Sequence, residues 1–256
     1  MNAITLHAHA SPDFADKLAE SVALLKQAAR EFAPITQASS LGAEDMVVTD
    51  LIQLHSIPSA IFVLDTGKLH AQTLGLLERI QRHYGRQIEV YRPDPEAADQ
   101  FVATHGEQAM YQSLDLRKAC CHIRKMVPLD KALAGKRGWI TGLRREQSGA
   151  RAEVPFIEPG DERAKVNPLA RWTWGDVWHY IATRDVPYNP LHDQFFPSIG
   201  CEPCTRAVTL GEDFRSGRWW WEQESAKECG LHVSPADEAG AVSALPERRV
   251  VPIAAA

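Results

Sequence analysis

No stretch of this chain is apolar over anything near the roughly 18 residues that a bilayer-spanning helix needs. The opening residues, MNAITLHAHASPDF, lack both the basic segment and the apolar core of a secretory signal. Both absences predict a cytoplasmic protein with no membrane partner. Basic charge is not in excess either: 28 Lys and Arg face 33 Asp and Glu, a formal net charge of −5. That balance argues against a nucleic-acid partner held by bulk electrostatics. Cysteine is scarce, five in 256 residues. A chain of this length buries enough surface to fold without disulfide staples, and in a reducing compartment paired cysteines point to metal or redox chemistry. Internal repeats and low-complexity blocks are also missing.

What is present is an alternation of helix and strand patterns. Ser11-Pro12 opens a helix whose apolar face runs through Phe14, Leu18, Val22, Leu25, Ala29 and Phe32. A short strand is expected at Ile35–Ser39, a loop at 40–43 and a helix over Glu44–His55. The run AIFVL, Ala60–Leu64, reads as a buried parallel strand. A helix over His70–Tyr84, strands at Gln87–Tyr91 and Trp139–Thr141, and a helix over Trp174–Ala182 follow. This order predicts an α/β fold: an open, mostly parallel sheet flanked by helices, with ligands at the C-terminal ends of the strands. Periodicity decays after Trp221. The division expected is an ordered domain over 1–220 and a mobile C-terminal segment over 221–256.

The cysteines fall into a pattern of four plus one. Cys120 and Cys121 are adjacent in KACCHIRK; Cys201 and Cys204 form GCEPC about 80 residues later; Cys229 stands alone in ECGLH. The two pairs could hold zinc, hold an iron–sulfur cluster, or remain free buried thiols. Adjacent cysteines fit one tetrahedral ion poorly and can bind different irons of one cluster, which favours [4Fe–4S]. Cys229, with His232 close behind, reads equally as a nucleophile or as an inert thiol.

Basic residues crowd the same places: Arg117, Lys118, Arg124 and Lys125 flank the first pair, Arg144, Arg145 and Arg151 share one loop, and Arg215 and Arg218 another. Local arginine clusters on an acidic chain suggest a small anionic ligand. Three loops following strands could line one crevice. The first, around Ser39, Leu41, Gly42, Glu44 and Asp45, opens a helix and could offer backbone N–H groups to an anion, or serve as a plain cap. The second starts at Leu64 in LDTGK and could equally be a structural turn. In the third, TGLRREQS, the Arg144-Arg145 pair suits phosphate or sulfate oxygens, the alternative being an ion pair with Glu146.

Taken in order, SSLGAED, LDTGKL, KACCHIRK, TGLRREQS, KVNPLARWTWGDVWHYI, GCEPCT and ECGLH resemble the assimilatory adenylyl-sulfate reductases, relatives of the phosphoadenylyl-sulfate reductases. The match runs from about residue 35 to 232. The resemblance implies a modified pyrophosphatase-loop fold, akin to the adenine nucleotide alpha hydrolases. It implies reduction of adenosine 5′-phosphosulfate to sulfite and AMP, with thioredoxin as electron donor. It also implies a [4Fe–4S] cluster on Cys120, Cys121, Cys201 and Cys204, the mark of the branch whose substrate lacks a 3′-phosphate. By the same token Cys229 is the nucleophile, which would carry an S-sulfonate, and His232 lies near it. Lys125 is linked to cluster and substrate, and Arg215 and Arg218 receive the phosphosulfate. Ser39, Leu41, Gly42, Glu44, Asp45, Leu64, Arg144, Arg145 and Arg151 complete the expected substrate site. Other readings are a cluster-containing reductase of the 3′-phosphorylated nucleotide and a zinc-stabilised, non-catalytic adenine-nucleotide module. A homo-oligomer is compatible with each.

Overall fold

The computed structural model describes residues 2–223; Cys229, His232 and all of the expected C-terminal segment beyond residue 223 lie outside the described residues. Six strands form one sheet: β1 Ile35–Ser39, β2 Ser59–Leu64, β3 Glu89–Tyr91, β4 Gly138–Ile140, β5 Ile157–Glu158 and β6 Ala164–Val166. Their order is β3-β2-β1-β4-β6-β5. All pairs are parallel except β5 with β6. The helices are α1 Ala3–His7, α2 Phe14–Glu31, α3 Ala43–Leu54, α4 Ala71–Tyr84, α5 Pro95–His105, α6 Leu114–Cys121, α7 Val127–Leu133 and α8 Trp174–Arg184.

Side chains that alternate along the central strands feed two cores. On one face Ile61, Val63, Ile140 and Val166 pack with α2, α3 and α8, around the fully buried Trp172 and Trp178. On the other, Phe62 and Trp139 pack with Leu129 and Leu133 of α7. The predicted apolar stripe of α2 lies against the first core, Leu25 and Ala29 deepest. A buried ion pair fastens that helix: Lys17 reaches Asp176 of α8 at 3.1 Å, and Asp176 also accepts the Ser11 N–H at 2.7 Å.

Register places the site. Ser39 stands opposite Val63 of β2, and Gln37 opposite Ile140 of β4. The parallel strands β2, β1 and β4 therefore finish at one edge, and the three loops marked in the sequence emerge side by side. The chain moves outward from β1 to β2 and β3, then crosses to β4 on the far side of β1. That is a topological switch point, where open α/β sheets take their ligands. No helix among the described residues is long and apolar enough to cross a membrane.

Candidate active site

A cleft opens at this edge, lined by residues of all three loops, the place where open α/β sheets take their ligands. Ser39, Ser40, Gly42, Glu44 and Asp45 from the β1 loop and α3, and Leu64 from β2, line it. Leu41 is buried beneath them in a left-handed conformation, φ 62°. The sequence suggests that this loop offers N–H groups to an anion; in the structure the N–H groups of Ser40 and Leu41 already have acceptors within the loop. Ser40 gives both its N–H (2.7 Å) and its hydroxyl (2.6 Å) to the Asp45 carboxylate, and Leu41 N–H goes to the Ser39 hydroxyl at 3.2 Å. Burial raises the Asp45 carboxyl to about 6, against the pull of Ser40. Gly142 approaches this carboxylate so closely that a Cβ there would stand 2.5 Å from Asp45 Oδ1. With Glu44 and Asp45 in the first turn of α3, this end of the cleft is acidic.

Cations line the same cleft: Lys125, Arg215 and Arg218, together with Cys201; Lys125 and Arg218 act electrostatically on the Cys204 thiol. Arg218 lies at 7% exposure, its guanidinium 4.6 Å from the centre of the Trp219 ring and so close to Gly200 that any Cβ there would strike it. Arg151 lines the cleft from the β4 side and donates to Gln147 Oε1 at 2.7 Å.

The thiols gather within electrostatic reach of Lys68, Arg124, Lys125 and Arg218. Cys120, Cys201 and Cys204 are buried and Cys121 half-buried, all as free thiols. Cys201 is held to the β2 loop, bridging to Leu69 and standing 3.2 Å from the Thr66 hydroxyl. Thr66 O in turn accepts from Arg124 at 2.9 Å. The LDTGK segment, which could have been a mere turn, thus positions a cysteine. Cys120 and Cys121 close α6, and a π-helical turn, His122–Met126, follows directly. Such turns are rare and recur at functional sites; this one carries Lys125 to the cleft. Burial pushes Cys204 up to about 12, reinforced by Cys201, and raises Cys120 against the pull of Arg124.

Two predicted residues are placed elsewhere. Arg144 is fully buried as a strut: it donates to Glu44 at 3.0 Å and Glu146 at 2.7 Å, and to the Trp172 carbonyl at 3.2 Å. Arg145 is exposed, bonded to the Val154 carbonyl at 2.9 Å and stacked near Phe156. The ion-pair reading of TGLRREQS therefore describes Arg144. The pair cannot act as a fork because β4 ends before it and its two side chains leave the backbone in different directions.

Comparison with known proteins agrees with this arrangement. The phosphoadenosine phosphosulfate reductase domain family matches residues 34–207. An adenosine 5′-phosphosulfate reductase of Burkholderia cepacia is 52% identical over 226 residues, 88% of this chain and 90% of that one. Its namesake from Allochromatium vinosum is 52% identical over 216 residues, covering 84% of each. The chain belongs to the adenosine 5′-phosphosulfate reductase family. It is therefore an oxidoreductase. Among solved structures, a phosphoadenylyl-sulfate reductase from Candida auris in a phosphate complex superposes with a TM-score of 0.63 at 25% identity, over 78% of this chain and 98% of that one.

Within that family frame, the four thiols can be tested as a cofactor cradle. No group of three or more His, Cys, Asp and Glu among the described residues is gathered to hold a single metal ion. The donor chemistry nevertheless suits an iron–sulfur cluster. Cys120, Cys201 and Cys204 feel one another electrostatically, and Lys68, Arg124, Lys125 and Arg218 act on them as counter-charges. Arg117 hydrogen-bonds Cys121. A cluster with four thiolates is anionic, and these cations would balance it.

Sequence reasoning passed over His192, Phe214 and Trp219, which also line the cleft. A lone histidine in NPLHDQ carries no spacing signal. The Arg117–Glu222 pair, bidentate at 2.9 and 2.8 Å and buried at both ends, spans 105 residues and was equally invisible.

Proposed function

We propose that this enzyme reduces adenosine 5′-phosphosulfate to sulfite and AMP in assimilatory sulfate reduction, in the cytoplasm. The observation that carries the reading is the lining of the cleft at the strand ends, which brings Lys125, Arg151, Arg215 and Arg218 together with the buried thiol Cys201. The relatives named for that reaction support it.

The base would lie against the apolar wall of Phe62, Leu64, Leu129 and Trp139, and the phosphosulfate against the cations. These charges neutralise the anionic oxygens that would otherwise repel a thiolate. Cys229 supplies that thiolate: its sulfur attacks the sulfonyl sulfur, an S–S bond forms, and the S–O bond to phosphate breaks, releasing AMP with the electron pair. Thioredoxin then attacks Cys229 Sγ with one thiolate. Sulfite leaves with the electron pair, and thioredoxin's second thiol resolves the mixed disulfide, so one dithiol supplies the two electrons. Cys120, Cys121, Cys201 and Cys204 would hold the [4Fe–4S] cluster. When bound, it ties α6 to the Cys201–Cys204 turn and adds local charge rather than electrons.

Incubating the anaerobically purified holoprotein with adenosine 5′-phosphosulfate and no reductant should add one SO₃ group to the peptide containing Cys229, read by mass spectrometry. Cys229→Ser should keep iron and sulfide and form no adduct, while Cys201→Ser should lose iron. An adduct on another residue, or thioredoxin-dependent turnover by Cys229→Ser, would remove Cys229 from the mechanism.

A further inference from the structure

His192 is held with unusual firmness for a residue given no role. It sits in the 3₁₀ turn Pro190–Gln194, capped by the Asn189 side chain, which accepts Leu191 N–H at 3.1 Å and donates to Thr73 at 2.8 Å. The imidazole is 6% exposed and packs edge-on to Trp178, centroids 5.3 Å apart at 82°, with Trp174 at 5.9 Å. Its Nδ1 lies 2.8 Å from the Phe196 carbonyl. A carbonyl only accepts, so Nδ1 carries the proton and Nε2 of the neutral ring is a bare acceptor. Burial holds the ring down to about 4 despite the nearby Glu44 carboxylate, so it is neutral at physiological pH. Nε2 is buried in this cleft-lining side chain and meets no partner among the described residues. An unpaired buried acceptor is costly, and a native one invites a ligand that satisfies it.

Glu44 shares this corner. Its Oε1 accepts from Arg144 and from Gln147, both at 3.0 Å, which fixes the carboxylate at the cleft wall. The corner therefore presents acceptors and calls for a donor. Resting on the substrate reading above, three parts of the nucleotide compete for it. The phosphosulfate has no donor to give. The base belongs with Phe62, Leu129 and Trp139, which pack on the α7 face of the sheet, whereas His192 packs against Trp174 and Trp178 of α8. The ribose remains.

We propose that His192 Nε2 accepts a hydrogen bond from a ribose hydroxyl of the substrate, with Glu44 beside it, and that this corner selects nucleotides whose hydroxyl there is free. A phosphate at that position would meet a lone pair and a carboxylate and be repelled.

A double-mutant cycle tests it. Calorimetry on the holoprotein, with Cys229→Ser in every variant to isolate binding from turnover, would compare wild type at position 192, His192→Phe and His192→Gln against adenosine 5′-phosphosulfate, its 2′-deoxy and 3′-deoxy analogues, and the analogue lacking the 6-amino group. Phe keeps the aromatic packing without an acceptor; Gln keeps an acceptor. Losing one neutral hydrogen bond should weaken binding about threefold to tenfold. One deoxy analogue should bind wild type that much more weakly and suffer no further loss in His192→Phe, whereas His192→Gln should restore the penalty. Independent, additive losses for both deoxy analogues, or coupling to the 6-amino analogue instead, would overturn the proposal. If wild type binds no adenosine 5′-phosphosulfate at all, the substrate reading falls and this one with it; binding without coupling sinks only the role of His192.

Discussion

Arg218→Ala should cost affinity and spare the fold. The guanidinium is buried, yet the protein uses it poorly. Its Nη1 contacts to Ser198 Oγ and the Ile199 carbonyl are both 3.4 Å, at the outer limit of useful hydrogen bonds. Among the described residues its Nε has no partner and no carboxylate pairs with it. Burying a poorly paired cation opposes folding. Removing it relieves that cost and forfeits the contact with Trp219, worth about 0.5–2 kcal/mol. The two effects oppose each other, so stability should change by no more than about 1 kcal/mol, or about 2–4 °C in Tm for a chain of this size. Against a phosphosulfate the same side chain would make charge-assisted hydrogen bonds worth about 1.5–3 kcal/mol, so affinity should fall about tenfold to a hundredfold. Calorimetric titration with adenosine 5′-phosphosulfate in the Cys229→Ser background isolates binding from turnover, and thermal unfolding reads the fold. A Tm lowered by many degrees with Kd unchanged would refute the reasoning, because it would make Arg218 a structural residue.

Arg144→Ala should show the reverse pattern. It strands the Glu44 carboxylate, side chain 10% exposed, and breaking a buried pair from one side costs about 3–5 kcal/mol; urea unfolding should register that loss, and an unchanged midpoint would contradict it. Asp176 should govern acid stability. Burial alone would raise its pKa, but N–H donors from Ser11 and Thr173, the Ser11 hydroxyl and Lys17 together bring it down to about 2 from 3.8. A depressed carboxylate stabilises the fold above the unfolded pKa and loses that contribution as pH falls through the folded one, here between about pH 4 and 2, worth about 2 kcal/mol. Asp176→Asn should lose that amount at pH 7 and flatten the acid limb of the urea midpoint against pH; an unaltered limb would contradict the assignment.

Much of the fold was legible because its central strands and long helices carry strong patterns. Ile35–Ser39 was placed at both ends, and AIFVL marked β2 one residue short of its start at Ser59. The expected division of labour among loops also held, since parallel neighbours necessarily end at one edge. The middle of the chain was not legible. Helix α5 carries only Phe101 and Val102 as large apolar residues, α6 and α7 flank Cys120, Cys121 and a basic cluster that interrupt the apolar period, and a π turn breaks the 3.6-residue repeat itself. Strands β5 and β6 are two and three residues long, too short to alternate. In the site, residues flagged by type and by loop position, such as Lys125 and Arg218, do line the cleft. What pattern could not show is how neighbours spend a side chain. Arg144 and Arg145 read alike in sequence, yet one is a buried strut and the other a surface contact.

That distinction also orients the cleft. The α3 end looks like an anion site by loop chemistry, but the Asp45 carboxylate takes both Ser40 donors, and Arg144 is absorbed by Glu44 and Glu146. The positive charge lining the cleft comes instead from Lys125, Arg151, Arg215 and Arg218. A nucleotide whose anionic groups faced Glu44 and Asp45 would set them against carboxylates; turned toward Lys125 and Arg218, it sets anions against cations that also act on the Cys204 thiol. Trp219 and Glu222 are clamped by Arg117, at 4.6 Å over the ring and through two hydrogen bonds. The chain continues from this clamp toward Cys229, seven positions beyond Glu222 in the sequence, a reach of at most about 25 Å. On the proposed mechanism that tether is long enough to bring a Cys229 thiolate to a sulfonyl group held by Arg215 and Arg218, which precede Glu222 by only seven and four positions.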